Sequence, residues 1–105
     1  MPKQDRKEHS HELKTDPEVF TAVWEGVKPW EIRKNDRDYQ AGEKLLLRET
    51  EHTGEEMKAG KPLIYTGREI LARIVYVLYG PVYGLAFGWC IMSIEVQLLH
   101  RNRSL

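Results

Sequence analysis

Apolar and polar residues alternate with a period of two along most of this chain, and one stretch departs to helical spacing. Residues 9–14 read as a short first strand, weakly patterned because only Leu13 is clearly apolar. Val19, Phe20, Val23 and Trp24 then fall on one face at helical spacing. Asp16 stands where a side chain can cap the first free amides, Pro17 suits the first helical position, and Glu18 favours the positive end of the helix dipole. Gly26 takes the left-handed conformation at low cost and supplies the stop, so the helix is expected over residues 17–25, with Trp24 as a core anchor.

Lys28 precedes a proline and is therefore extended. Residues 30–34 alternate as a strand, with Trp30 and Ile32 expected to face inward and Glu31 and Arg33 outward. Residues 35–38 form a turn by composition, Gly42 closes the next turn, and residues 44–49 read as a strand. Residues 50–66 are polar, carry Gly54, Gly60 and Pro62, and read as a long excursion between strands, with residues 63–65 packing back on the body. Residues 68–79 are the longest strand and are largely apolar on both faces, which predicts a central place in the sheet. Gly80-Pro81 ends it. Residues 89–99 form the last strand, with Cys90, Met92, Ile94, Val96 and Leu98 alternating against Ile91, Ser93, Glu95 and Gln97.

The order is strand, helix, strand, strand, long loop, long strand, loop, strand. No βαβ repeat appears, which argues against a parallel doubly wound sheet. The expected class is α+β, mostly β: a small, mostly antiparallel pseudo-barrel with one main helix covering an end. Residues 1–8 read as a disordered arm, 9–99 as one domain, and 100–105 as a short basic tail.

Composition narrows the function classes. Lys+Arg and Asp+Glu number 16 each, so no bulk charge is available for coating duplex nucleic acid. The single cysteine, Cys90, cannot form an internal disulfide, sits in an apolar run, and reads as a buried small hydrophobe in a reducing compartment. The first nine residues are polar, unlike a signal peptide, and the longest apolar run is far short of the ~20 residues of a membrane span. A cytoplasmic protein without a membrane, metal or cofactor is the expectation. His9 and His11 would share a strand face, yet no acidic or cysteine partner accompanies them at a recognisable metal-site spacing.

The densest chemistry lies between residues 26 and 37. Glu31 and Arg33 share a strand face and Lys28 approaches the same end. Lys28 and Arg33 suit a phosphate or an exocyclic oxygen, while Glu31 suits a base amino group. The plain alternative is an exposed ion pair worth about 0–1 kcal/mol. Asp36 suits turn capping, and Arg37 suits either a staple to a neighbouring strand or a ligand contact. Tyr39, Tyr83 and Trp89 are candidates for stacking on bases, or simply for packing. Glu95 becomes a general acid or base if its face opens into the barrel mouth.

These residues also carry a resemblance. His11-Glu12-Leu13-Lys14, Asp16-Pro17, Phe20, the run from Gly26-Val27-Lys28-Pro29-Trp30-Glu31-Ile32-Arg33 to Lys34-Asn35-Asp36-Arg37, Gly42-Glu43 and Tyr65-Thr66-Gly67-Arg68-Glu69 resemble an ASCH-like domain of bacterial and phage proteins, within the PUA-like superfamily. The resemblance implies a PUA-like barrel that binds RNA or a nucleotide-like ligand through Lys14, Lys28, Trp30, Glu31, Arg33, Arg37 and Tyr39. One branch of that group is an amidohydrolase acting on N4-acetylcytidine. Lys28 matches its lysine, Glu31 stands where that branch carries threonine, and Glu95 roughly matches its late glutamate. An enzyme of this kind would use Lys28, Glu31 and Glu95. A phage-type accessory protein that binds a host protein is a third reading.

Overall fold

The computed structural model describes residues 9–101. The expected arm over residues 1–8 and most of the expected tail lie outside the described residues. The chain runs β1 (Ser10–Thr15), α1 (Pro17–Trp24), β2 (Trp30–Lys34), β3 (Lys44–Thr50), α2 (Gly54–Lys58), β4 (Tyr65–Tyr79) and β5 (Trp89–Arg101). The strands form one sheet in the order β1-β3-β4-β5-β2, curled into a half-barrel. β1 pairs with β3 in parallel, and every other neighbouring pair is antiparallel. The mostly β, α+β class expected from patterning is therefore the observed one. β4 holds the centre, as its two apolar faces predicted.

Alternate residues of the strands build the core. Leu45 and Leu47 of β3, Ile70, Ala72 and Ile74 of β4, and Cys90, Met92 and Ile94 of β5 are buried on the inner face. Phe20 and Val23 of α1 cover them together with Leu13. Burial pushes the Cys90 thiol above its usual range, so this cysteine is an inert packing group.

Several boundaries shift for local reasons. The helix ends at Trp24 with Glu25 as its C-cap, and Gly26 follows at φ 81°. Asp16 makes no side-chain cap on α1; its Oδ1 instead accepts from the Gly54 amide at 2.9 Å, tying α1 to the start of α2. The expected long loop contains α2, which buries no residue and rests on a capping box: Thr53 Oγ1 accepts from the Glu56 amide at 3.0 Å and Glu56 Oε1 from the Thr53 amide at 2.8 Å. β4 starts at Tyr65 because Thr50 pairs with it beyond a register shift. β5 runs on to Arg101, opposite Arg68, through residues expected to be tail.

Candidate functional site

β2 reverses its expected facing. Glu31 is 2% exposed, whereas Trp30 and Ile32 are 41% and 44% exposed. Register explains this: Glu31 lies opposite Met92 and Arg33 opposite Cys90, both core residues, so the charged pair faces the inside of the half-barrel. Alternation reports a period, not which face turns inward. β2 is also the sheet's edge, and its inner face looks towards the open side of the curl, where a carboxylate can be buried if cations accompany it.

Those cations are placed by backbone. At the end of α1 the Val27 and Lys28 amides both donate to the Ala22 carbonyl, at 3.0 and 3.1 Å, and the chain folds back on the helix. Pro29 then accepts from the Ile94 amide, which starts β2 beside β5. From this turn Lys28 Nζ donates to Glu31 Oε2 at 3.0 Å and to the Trp30 carbonyl at 2.6 Å, and it lies 4.4 Å from the Trp30 ring centroid. Arg33 Nε donates to the other carboxylate oxygen, Oε1, at 3.0 Å.

The rest of Arg33 crosses to the opposite edge of the sheet. Nη1 donates to the Lys14 carbonyl and Nη2 to Thr15 Oγ1, each at 3.2 Å. Arg37, from the turn after β2, donates to the Glu12 carbonyl at 2.9 Å, the strand-to-turn staple read as one of its two roles. Two arginines thus bridge β2 and β1, the two edges that the curl brings together. Most of the Arg33 fork is consumed in this, so it is a clamp first. Lys28 keeps one N–H, and Arg37 is exposed.

A cavity of about 460 Å³ opens along this seam. Lys14, Lys28, Arg33, Lys34 and Arg37 bring five cations to its wall, against the carboxylates of Asp16, Glu31 and Asp36. Trp30, Ile32, Trp89, Val19 and Leu13 supply its apolar lining. The balance suits a ligand with an anionic part and a flat apolar part.

The other expected site residues separate. Tyr39 reaches the cavity wall but is buried, packs edge-on against His11 at 4.9 Å, and donates its amide to Asn35 Oδ1 at 3.1 Å. Its ring is core rather than a stacking platform, and burial raises its phenol above the usual range. Glu95 is exposed, pairs with Arg73 at 3.3 Å, and takes no part in the cavity wall. It lies opposite Arg73, whose neighbours Ala72 and Ile74 point into the core, so both charges face away from the barrel. The set Lys28, Glu31 and Glu95 is therefore not assembled; Lys28, Glu31 and Arg33 are.

Two further polar clusters escaped the patterning. Glu43 is buried, with His11 Nε2 2.8 Å and His9 Nδ1 3.6 Å away, so the acidic partner of the two histidines comes from the residue just before β3. Parallel pairing of β1 with β3 brings them together, and nothing local to either segment announces it. Among the described residues no group of three or more His, Cys, Asp or Glu side chains is arranged to hold a metal ion. Glu49 is the second: Arg68 grips both its oxygens at 2.9 and 2.8 Å, Thr66 Oγ1 donates at 2.6 Å, and the guanidinium lies over Trp24 and Phe20. Arg68 holds the Glu49 carboxyl below the usual carboxylate range, aided by Thr66. Among the described residues, no helix is long and apolar enough to cross a membrane.

Residues 10–94 match a domain of unknown function, DUF3850, and that span includes every residue of the seam cavity. The chain belongs to the DUF3850 family. It is also similar to an uncharacterized 12.9 kDa protein in the GpA 3′ region of Escherichia phage P2, 37% identical over 67 residues. That similarity covers 64% of this chain and 52% of the phage protein, so the chain spans about half the length of this relative. Within the DUF3850 span lie both edges of the seam and the arginines that bridge them; Glu95 falls just past its end.

Proposed function

We propose that this DUF3850 chain is an RNA- or nucleotide-binding module of the ASCH/PUA-like type, and that the seam between β1 and β2 seats one nucleotide. The observation that carries this reading is the juxtaposition in one cavity of a tethered cationic group with exposed indole rings. Lys28, held over Trp30 and on the buried Glu31, meets the phosphate together with Arg37. Trp30 and Trp89 offer rings to a base. Glu31 is the fixed anchor that aims Lys28 and Arg33. At about 460 Å³ the cavity falls within the roughly 300–1,000 Å³ typical of small-ligand sites. The neutral overall charge fits local capture of one strand rather than coating of a duplex.

Filter binding to single-stranded and structured RNA, at several salt concentrations, tests the reading. Binding is expected to weaken with salt, and Lys28→Ala is expected to lower affinity by about tenfold or more, in line with a charged hydrogen bond of ~1.5–3 kcal/mol. No affinity at low salt, or an affinity that Lys28→Ala leaves untouched, would sink it.

A further inference from the structure

The loop between β4 and β5 carries two aromatic rings that the core does not use. Tyr83 is 93% exposed and Phe87 is 83% exposed. The loop around them is nonetheless tightly built. Val82 and Leu85 exchange reciprocal backbone bonds of 3.1 and 2.7 Å, and Gly80 donates to the Trp89 carbonyl at 2.8 Å. A Cβ at Gly80 would collide with the Ala86 carbonyl, so the loop closes on itself without space. Tyr83 sits at φ 49°, a conformation that bulky residues seldom adopt. Its ring is directed to solvent at a conformational cost that its own packing does not offset.

The position of this loop gives the rings a use. Asn35, at the head of the turn carrying Asp36 and Arg37, donates to the Gly88 carbonyl at 2.8 Å. Trp89 pairs with Lys34, and both line the cavity. Phe87 is therefore two residues from the cavity wall. No charged side chain occurs in residues 80–88, while Lys34, opposite Trp89 at their end, shares the cavity wall with Arg37. Exposed rings beside a cavity with cations on its wall match a strand whose bases stack while its phosphates meet the lysine and arginine heads.

We infer that Tyr83 and Phe87 form a second platform, which stacks the unpaired bases adjoining the nucleotide seated in the seam. This rests on the reading of the seam as a nucleotide site and extends it from one nucleotide to a short single strand.

The experiment compares adenosine monophosphate with single-stranded oligoadenylate of about eight nucleotides, a length within the span of known single-strand sites. Both are titrated into the parent protein, Lys28→Ala, and the double variant Tyr83→Ala/Phe87→Ala. The double variant is expected to keep its affinity for the mononucleotide and to lose about tenfold or more for the oligomer. Tyr83→Phe/Phe87→Tyr is expected to restore oligomer affinity, because either ring stacks. Both rings are exposed, so the thermal midpoint of each variant should match the parent, which separates lost contacts from lost fold. Oligomer affinity equal in parent and double variant, with Lys28→Ala impaired, would overturn the platform and leave the seam site standing. So would an oligomer bound by the parent no tighter than the mononucleotide. Binding of neither probe by the parent overturns both.

Discussion

Two carboxylates are buried in this half-barrel beside an arginine, and they differ in what lies over them. Glu49 is gripped by Arg68 through two oxygens and receives Thr66, and that guanidinium lies over the Trp24 and Phe20 rings of α1. Glu31 is held by Lys28 and Arg33, and beyond those cations lies an open cavity instead of a helix. The local chemistry is nearly the same. The pair packed on rings ties α1 to the sheet, whereas the pair beside the cavity puts Lys28 on a wall that the proposed nucleotide would meet. Burial of the acid therefore identifies neither a site nor a strut; what covers the base does.

The sharpest way to break this comparison is to remove each arginine in turn. Arg68→Ala leaves Glu49 buried without its cation and is expected to destabilise the fold by about 3 kcal/mol, read by chemical denaturation, with RNA affinity unchanged in the folded fraction. Arg33→Ala is expected to cost less, about 2 kcal/mol, because Lys28 remains on Glu31, but it should also weaken RNA binding by freeing the seam. Equal effects of the two variants on binding would erase the distinction.

Acid offers a gentler probe. Arg68 lowers the Glu49 pKa below its unfolded value near 4.5, so the pair's stabilisation is fully present above that pH. It is lost as pH falls through the lowered folded value. Denaturation midpoints of the parent should drop on acidification below about pH 4.5, and Glu49→Gln should show a shallower drop from a lower start. The smallest effect is expected at Arg73 and Glu95. Their exposed pair should contribute within about 0–1 kcal/mol, and Glu95→Ala should leave RNA binding unchanged. A loss of binding there would reopen the hydrolase-like grouping of Lys28 with Glu95.

Much of the scaffold could be read from patterning. The bounds of β2, the central place of β4 and the stop at Gly26 all followed from periodicity and backbone preference, because those forces are local. The facing of β2 did not, because alternation leaves open which face turns inward, and a curled sheet edge can bury an acid between two cations. α2 was missed although Thr53 and Glu56 carry the capping-box spacing; with no apolar stripe it gives no periodic signal. Within the site, Lys28, Glu31 and Arg33 were legible as neighbours in sequence. Their bridge to Lys14 and Thr15 was not, nor was the separation of Glu95, since both depend on how far the sheet curls. The sequence allows Arg37 two roles, and the staple to Glu12 is formed.

Bridging β1 and β2 by side chains also bears on how the chain keeps to itself. Any open sheet ends in two raw edges whose free amides and carbonyls invite another strand, and edge-to-edge pairing of that kind is a route to polymers. Here the curl turns both edges towards one another, and the carbonyls of Glu12 and Lys14 are already taken by Arg37 and Arg33. The same two arginines that frame the cavity thus act as guards against strand-by-strand growth. Loss of Arg33 should show first as a slow rise in light scattering on concentration, before any change in the folded baseline.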